Sequence, residues 1–146
     1  MPVGRAYSMI ANRGRLVSPH LVTKIGGVTV RYPAGTRVIS TGTALELDAM
    51  LRKVVSAQGT GDAATVKGYT VAGKTGTAQV VGSNGQYSNS LFMSSFAGYV
   101  PANHPQLVIV VTVDEPATGT YGGTVAAPAF SQIASMALIR LGIPPG

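Results

Sequence analysis

Residues 74–77 read Lys-Thr-Gly-Thr: a cation, a hydroxyl, a position with no side chain and a second hydroxyl. Such a set suits carboxylate recognition, because an ammonium and a neighbouring hydroxyl both donate to a carboxylate. A backbone N–H left unpaired at Thr77 would donate to an oxyanion as it develops. Gly76 lets another group approach the backbone closely. Together these would make one wall of an acyl-transfer site. The plainer readings are a solvated strand lysine at Lys74 and a glycine that relaxes strand twist at Gly76. Other polar residues offer less. Asp114 and Glu115 are adjacent, so on a strand they face opposite ways and form no general acid–base pair. His20 stands alone after Pro19, without a partner at metal-ligand spacing, so no metal site is expected. The chain has no cysteine, which removes thiolate chemistry and disulfides alike.

The element that must carry the set is residues 69–79. Thr70, Val71 and Thr77 are β-branched, and the run lies between Gly68 and the polar cluster Gly82-Ser83-Asn84-Gly85, so a strand is expected. Alternation then puts Lys74 and Gly76 on one face and Thr75 and Thr77 on the other. Upstream, Val3, Tyr7 and Ile10 recur at helical spacing over residues 3–12, with Gly14 placed to stop the helix. Residues 21–25 and 28–32, joined by Gly26-Gly27, give a hairpin signal. Residues 43–58 give the strongest helix. Thr43 and Glu46 form a capping box, and Leu47, Met50, Leu51, Val54 and Val55 form an apolar stripe read as core.

Downstream, residues 80–90 are polar and glycine-rich and read as a loop. A strand follows over residues 91–100, with Phe92 and Phe96 on one face and Met93, Ala97 and Tyr99 on the other. Residues 107–113 are apolar on both faces, the pattern of a central strand covered on both sides. A final helix is expected over residues 125–141, with Pro128 near its first turn and Phe130, Ile133, Ala137 and Leu141 as its packing face. The elements imply one domain over residues 1–146, an α/β chain of the α+β kind whose mostly antiparallel sheet is flanked by helices.

The residues around Lys74 carry a resemblance. Ala-Gly-Lys-Thr-Gly-Thr-Ala at 72–78 is similar to the third motif of the penicillin-binding proteins and serine β-lactamases, whose set is S-x-x-K, S-x-N and K-T-G. Ser95 to Pro101, Asp114-Glu115-Pro116, Tyr121-Gly122-Gly123 and Ala126 to Phe130 resemble the last strands and last helix of a class B penicillin-binding protein. That family builds septal or side-wall peptidoglycan. The resemblance covers nearly the whole chain and implies an incomplete penicillin-binding transpeptidase fold. It implies that Lys74 supplies positive potential and that Thr75 binds the terminal carboxylate of a D-Ala-D-Ala stem peptide or of a β-lactam. By the same resemblance Gly76 leaves room for the acyl chain and Thr77 gives one backbone N–H of an oxyanion hole. Tyr121 would be either an apolar wall for substrate or a tyrosine packed in the turn 120–123. No cofactor is implied.

The other two motifs are absent. The chain has four lysines, and Leu21, Met50, Ala64 and Val71 stand three residues before them, so no S-x-x-K exists. Ser88-Asn89-Ser90 lies after Lys74, whereas the family's S-x-N precedes the third motif. Covalent acyl transfer needs a nucleophile. The resemblance therefore implies the C-terminal portion of a transpeptidase domain, partnered by the upstream part. The parent protein would work at the extracytoplasmic face of the bacterial membrane. A truncated, non-catalytic interaction module is the alternative.

Composition narrows the choice. Charged residues make up 11% of the chain, low against the ~25% usual in globular domains, and predict poor solubility in isolation. The net charge of +6 raises nucleic acid as a partner. The basic residues are spread singly and lack interleaved aromatic residues, so no nucleic-acid partner is expected.

Overall fold

The computed structural model describes residues 2–82 and 84–146. Ser83, part of the polar cluster expected to turn the chain, lies outside the described residues. Helix α1 (Pro2–Ala11) is followed by Gly14, whose φ of +88° turns the chain into a small excursion. There β1 (Arg15–Leu16) pairs antiparallel with β4 (Thr36–Arg37), and β2 (Lys24–Ile25) with β3 (Val28–Thr29). Gly26 and Gly27 take φ values of +55° and +83°, as a tight two-residue hairpin turn requires, and the expected hairpin is present.

Helix α2 (Thr41–Val54) starts earlier than its expected capping box. Its N-cap is Ser40, whose hydroxyl accepts from the Thr43 N–H at 3.0 Å, so Thr43 is capped rather than capping. The buried face also differs. Met50 is 61% exposed, whereas Ala44 and Val55 are buried and Leu51 packs beneath Tyr99. The face follows residues 44, 48, 51 and 55, and it includes the charged Asp48. A stripe chosen on hydrophobicity alone passes over such a residue.

A three-stranded antiparallel sheet holds the centre, in the order β5 (Ala72–Val81), β6 (Tyr87–Val100), β7 (Leu107–Asp114). Two expectations change here. The expected loop over 80–90 shrinks, because β5 runs to Val81 and β6 starts at Tyr87, with Val81 opposite Tyr87. Ladder pairing, aided by the Gln79 Nε2 bond to the Ser88 carbonyl at 3.1 Å, overrides the polar composition. Among the described residues the central strand is β6, and β7 is an edge. Leu107, Ile109 and Val111 pack into the main core, while Val110 on the opposite face stays 42% exposed beside α1.

Helix α3 (Gly122–Arg140) begins three residues before the expected start, so Pro128 lies in its second turn. Its buried face is Ala126, Ala127, Phe130, Ala134 and Leu138; Ile133 and Leu141 face outward. The small alanines allow the close approach, a role that a search for bulky residues does not detect. By length and composition α3 could cross a bilayer, yet this face lies against the sheet. Phe130 meets Phe96 edge to face, with ring centroids 4.8 Å apart. On the other side of the sheet, Ala72, Tyr99 and Ala102 pack with Tyr7, Ile10 and Leu51. The layers are therefore α3, sheet, and α1 with α2.

Tyr99 is fully buried in this back layer, and its hydroxyl donates to Asp48 Oδ1 at 2.6 Å. Arg52 Nε donates to Asp48 Oδ2 at 2.7 Å. Burial first, and then the bond to Asp48, raises the pKa of Tyr99 far above its ordinary 10.0. The unfolded chain therefore releases this proton at lower pH than the native one. Stability from Tyr99 is complete below about pH 10 and declines above it, by up to about 1.4 kcal/mol per pH unit. Chemical denaturation between pH 9 and pH 11.5 should show the decline, and Tyr99→Phe should flatten it. Tyr7, raised by burial alone, leaves a residual slope in that variant.

Candidate active site

The expected strand places its residues as alternation requires. Thr75 and Thr77 line a cleft of about 370 Å³ between β5, the loop after α2 and the start of α3; Lys74 and Gly76 start from the other face. The missing Cβ of Gly76 would stand 2.5 Å from Ser95 Oγ, so what approaches its backbone on that face is the Ser95 hydroxyl. Lys74 does not stay on its face. Among the described residues β5 pairs only with β6, and the lysine stem reaches around the open edge. Its Nζ donates to Thr75 Oγ1 at 3.0 Å and to the Thr75 carbonyl at 3.1 Å. The ammonium and the hydroxyl named from the sequence thus form one donor group.

The far wall is the first turn of α3. Gly122 and Gly123, expected in a loop, are helical, and their lack of side chains decides how closely the helix seats. A Cβ on Gly122 would collide with the Ser95 carbonyl and stand 2.6 Å from that of Gly76. The Gly122 N–H donates to Thr77 Oγ1 at 3.2 Å, so the Thr77 side chain serves the helix terminus. Ser94, fully buried, donates to the Thr120 carbonyl at 2.6 Å and anchors the approach to the helix. Tyr121 is the N-cap residue, makes no side-chain cap bond and is 71% exposed at the cleft. Its ring stands open at the rim and is not packed into the turn.

Thr60 and Asp62 also line the cleft, and neither was singled out from the sequence. Thr60 Oγ1 lies 3.1 Å from Thr75 Oγ1, and its carbonyl occupies the space that a Cβ on Gly123 would need. A signal existed. Thr60 is a hydroxyl between two glycines, and both glycines are required: a Cβ on Gly59 would collide with the Val54 carbonyl, and one on Gly61 would stand 2.9 Å from the Phe96 ring. Asp114 ends β7 and Glu115 follows at φ +45°; both are exposed and neither lines the cleft.

Comparisons with known proteins agree with this geometry. The sequence profile of the penicillin binding protein transpeptidase domain matches residues 3–135. The probable peptidoglycan D,D-transpeptidase PenA of Neisseria gonorrhoeae is 41% identical over 99% of this chain and 24% of its own length. The stage V sporulation protein D of Bacillus subtilis is 40% identical over 96% of this chain and 23% of its own. The PenA relative of Neisseria flavescens is covered over 35% of its length, so the chain spans well under half of the curated relatives it matches. Among solved structures, the transpeptidase domain of Burkholderia pseudomallei penicillin-binding protein 3 superposes with a TM-score of 0.84 at 40% identity, over 98% of this chain and 42% of that one. Penicillin-binding protein 3 of Mycobacterium tuberculosis, solved in complex with aztreonam, gives 0.84 at 36% identity, over 98% of this chain and 35% of that one. Sequence match, fold and cleft agree: the chain belongs to the penicillin-binding protein transpeptidase domain family.

Proposed function

We propose that residues 1–146 form the C-terminal part of a peptidoglycan D,D-transpeptidase domain and supply the Lys-Thr-Gly wall of its active site. The observation that carries this reading is the Lys74 Nζ–Thr75 Oγ1 pair at 3.0 Å beside the cleft, in a chain of this family. Lys74 and Thr75 bind the terminal carboxylate of a stem peptide ending in D-Ala-D-Ala, or that of a β-lactam. Thr77 donates its backbone N–H to the oxyanion, since among the described residues β5 is at the edge of the sheet and its outward N–H groups have no ladder partner. Gly76 takes part through its backbone, since the space its missing Cβ leaves is filled by the Ser95 hydroxyl on the opposite face of β5, and Tyr121 forms the rim. The nucleophilic serine of S-x-x-K comes from the upstream part of the domain. The assembled enzyme cross-links stem peptides on the extracytoplasmic face of the bacterial membrane.

Covalent labelling with a fluorescent penicillin, read on a denaturing gel, tests this. The chain is expressed alone and together with an upstream half carrying S-x-x-K. Labelling of the upstream half only when this chain is present is the expected result. A labelled band at this chain's own mass would overturn the assignment of the nucleophile to the other part. No labelling in either case, with both parts folded by circular dichroism, would point instead to a non-catalytic interaction module.

A further inference from the structure

The hydrogen-bond geometry around Thr75 assigns a role to Thr60. A threonine hydroxyl has one proton and two acceptor lone pairs. Lys74, an ammonium that only donates, fills one lone pair of Thr75 Oγ1 from 3.0 Å. Thr60 Oγ1, at 3.1 Å, is the remaining neighbour. If Thr75 donates to Thr60, its proton is used within the protein and a carboxylate in the cleft meets a lone pair. If Thr60 donates to Thr75, both lone pairs are filled and the Thr75 proton must point away from both partners, into the cleft. We propose that Thr60 is a positioning residue that donates to Thr75 Oγ1 and so aims the Thr75 hydroxyl proton at the substrate carboxylate. The role rests on the transpeptidase reading above and deepens it, since it names what sets the direction of the carboxylate donor.

The surroundings of Thr60 suit a fixed donor. Gly59 and Gly61 let the loop run close to the Val54 carbonyl and the Phe96 ring, and the Thr60 carbonyl abuts Gly123. The backbone is held on three sides while the hydroxyl faces the cleft. Lys74 contributes in the same sense, because two of its three protons are directed at Thr75 and the third is left for an anion.

The test is a double-mutant cycle on the domain reconstituted from this chain and the upstream half, read as the second-order rate of acylation by a fluorescent penicillin. Thr60→Val removes the hydroxyl at nearly constant volume and should slow acylation about tenfold, the scale of one lost neutral hydrogen bond, while Thr60→Ser should stay within about twofold. Thr75→Val should be slow, and adding Thr60→Val to it should change nothing further, because the effect passes through Thr75. A Thr60→Val variant as fast as the unsubstituted protein would overturn the role. So would a tenfold loss that persists in the Thr75→Val background, since that is the mark of a structural effect of Thr60 on the loop. If the unsubstituted pair does not react at all, the transpeptidase reading itself falls and the role of Thr60 falls with it.

Discussion

Lys74→Ala should slow β-lactam acylation of the reconstituted domain by at least about 10²-fold, the scale of removing one preorganised donor from a site where charge develops. The substitution has two effects at once. It removes the positive potential beside Thr75, where the proposed function puts the substrate carboxylate, and it removes the donor that fills one lone pair of Thr75 Oγ1. Thr75 then turns more freely, and its proton is shared between cleft and protein. Lys74→Arg should not restore the rate. A planar guanidinium cannot direct two donors at Thr75 and a third at an anion as a tetrahedral ammonium does. Acylation rates for the two variants and the unsubstituted protein check this. A loss below about fivefold in Lys74→Ala would place the ammonium outside the chemistry, because even a single charge-assisted hydrogen bond exceeds that.

Gly122→Val is the other large effect, and it acts on stability. No rotamer escapes the problem, because the obstruction is at Cβ and the neighbours are backbone: the carbonyls of Ser95 and Gly76. Either the first turn of α3 lifts off the sheet or the β5–β6 ladder gives way. A loss of about 3 kcal/mol is expected, the upper part of the range for overpacking. For a chain of this size that lowers the melting temperature by about 6–12 °C. Gly4→Ala is the control. Its added Cβ would stand 3.8 Å from Val110 Cγ2, ordinary contact inside a helix, and Ala for Gly there should stabilise by about 0.5–1 kcal/mol. Thermal melts by circular dichroism separate the two. A Gly122→Val protein that melts with the unsubstituted chain would mean that α3 does not seat on the strand pair.

Much of the site was legible because it is local. Lys74, Thr75 and Thr77 are consecutive or nearly so, and period-two alternation alone puts both threonines on one wall. The Gly26-Gly27 hairpin was legible for the same reason: both glycines are needed for positive φ in a two-residue turn. What could not be read depends on partners distant in sequence. Asp48 sits on the buried face of α2 because Tyr99, 51 residues away, supplies its hydrogen bond. The polar stretch 87–90 is extended because Tyr87 pairs with Val81 and Gln79 Nε2 holds the Ser88 carbonyl across an irregularity in the ladder, not because its composition favours a strand. β7 reads as central by its apolar run, yet among the described residues only one of its edges is paired. Thr60 is 15 residues from Thr75, and only the fold reveals that they touch.

The bond between Asp48 and Tyr99 lies on the face of the sheet away from the cleft, yet it bears on the tolerance of the site. Thr60 follows from the end of α2, and Thr75 belongs to β5, so their spacing is the difference between two separately held positions. Asp48 fastens α2 to β6, and β6 carries β5 residue by residue from Ala72 to Gln79. The helix is thus a lever whose fulcrum is the Tyr99 hydroxyl and whose short arm ends near Thr60. A slip of about 1 Å there is as large as the misplacements that disturb finely aligned groups, and the Thr60–Thr75 hydroxyl contact spans only 3.1 Å. The back layer and the cleft are thus joined through one helix and one strand pair, and the spacing of two small hydroxyls is set in part by a tyrosine on the opposite face of the sheet.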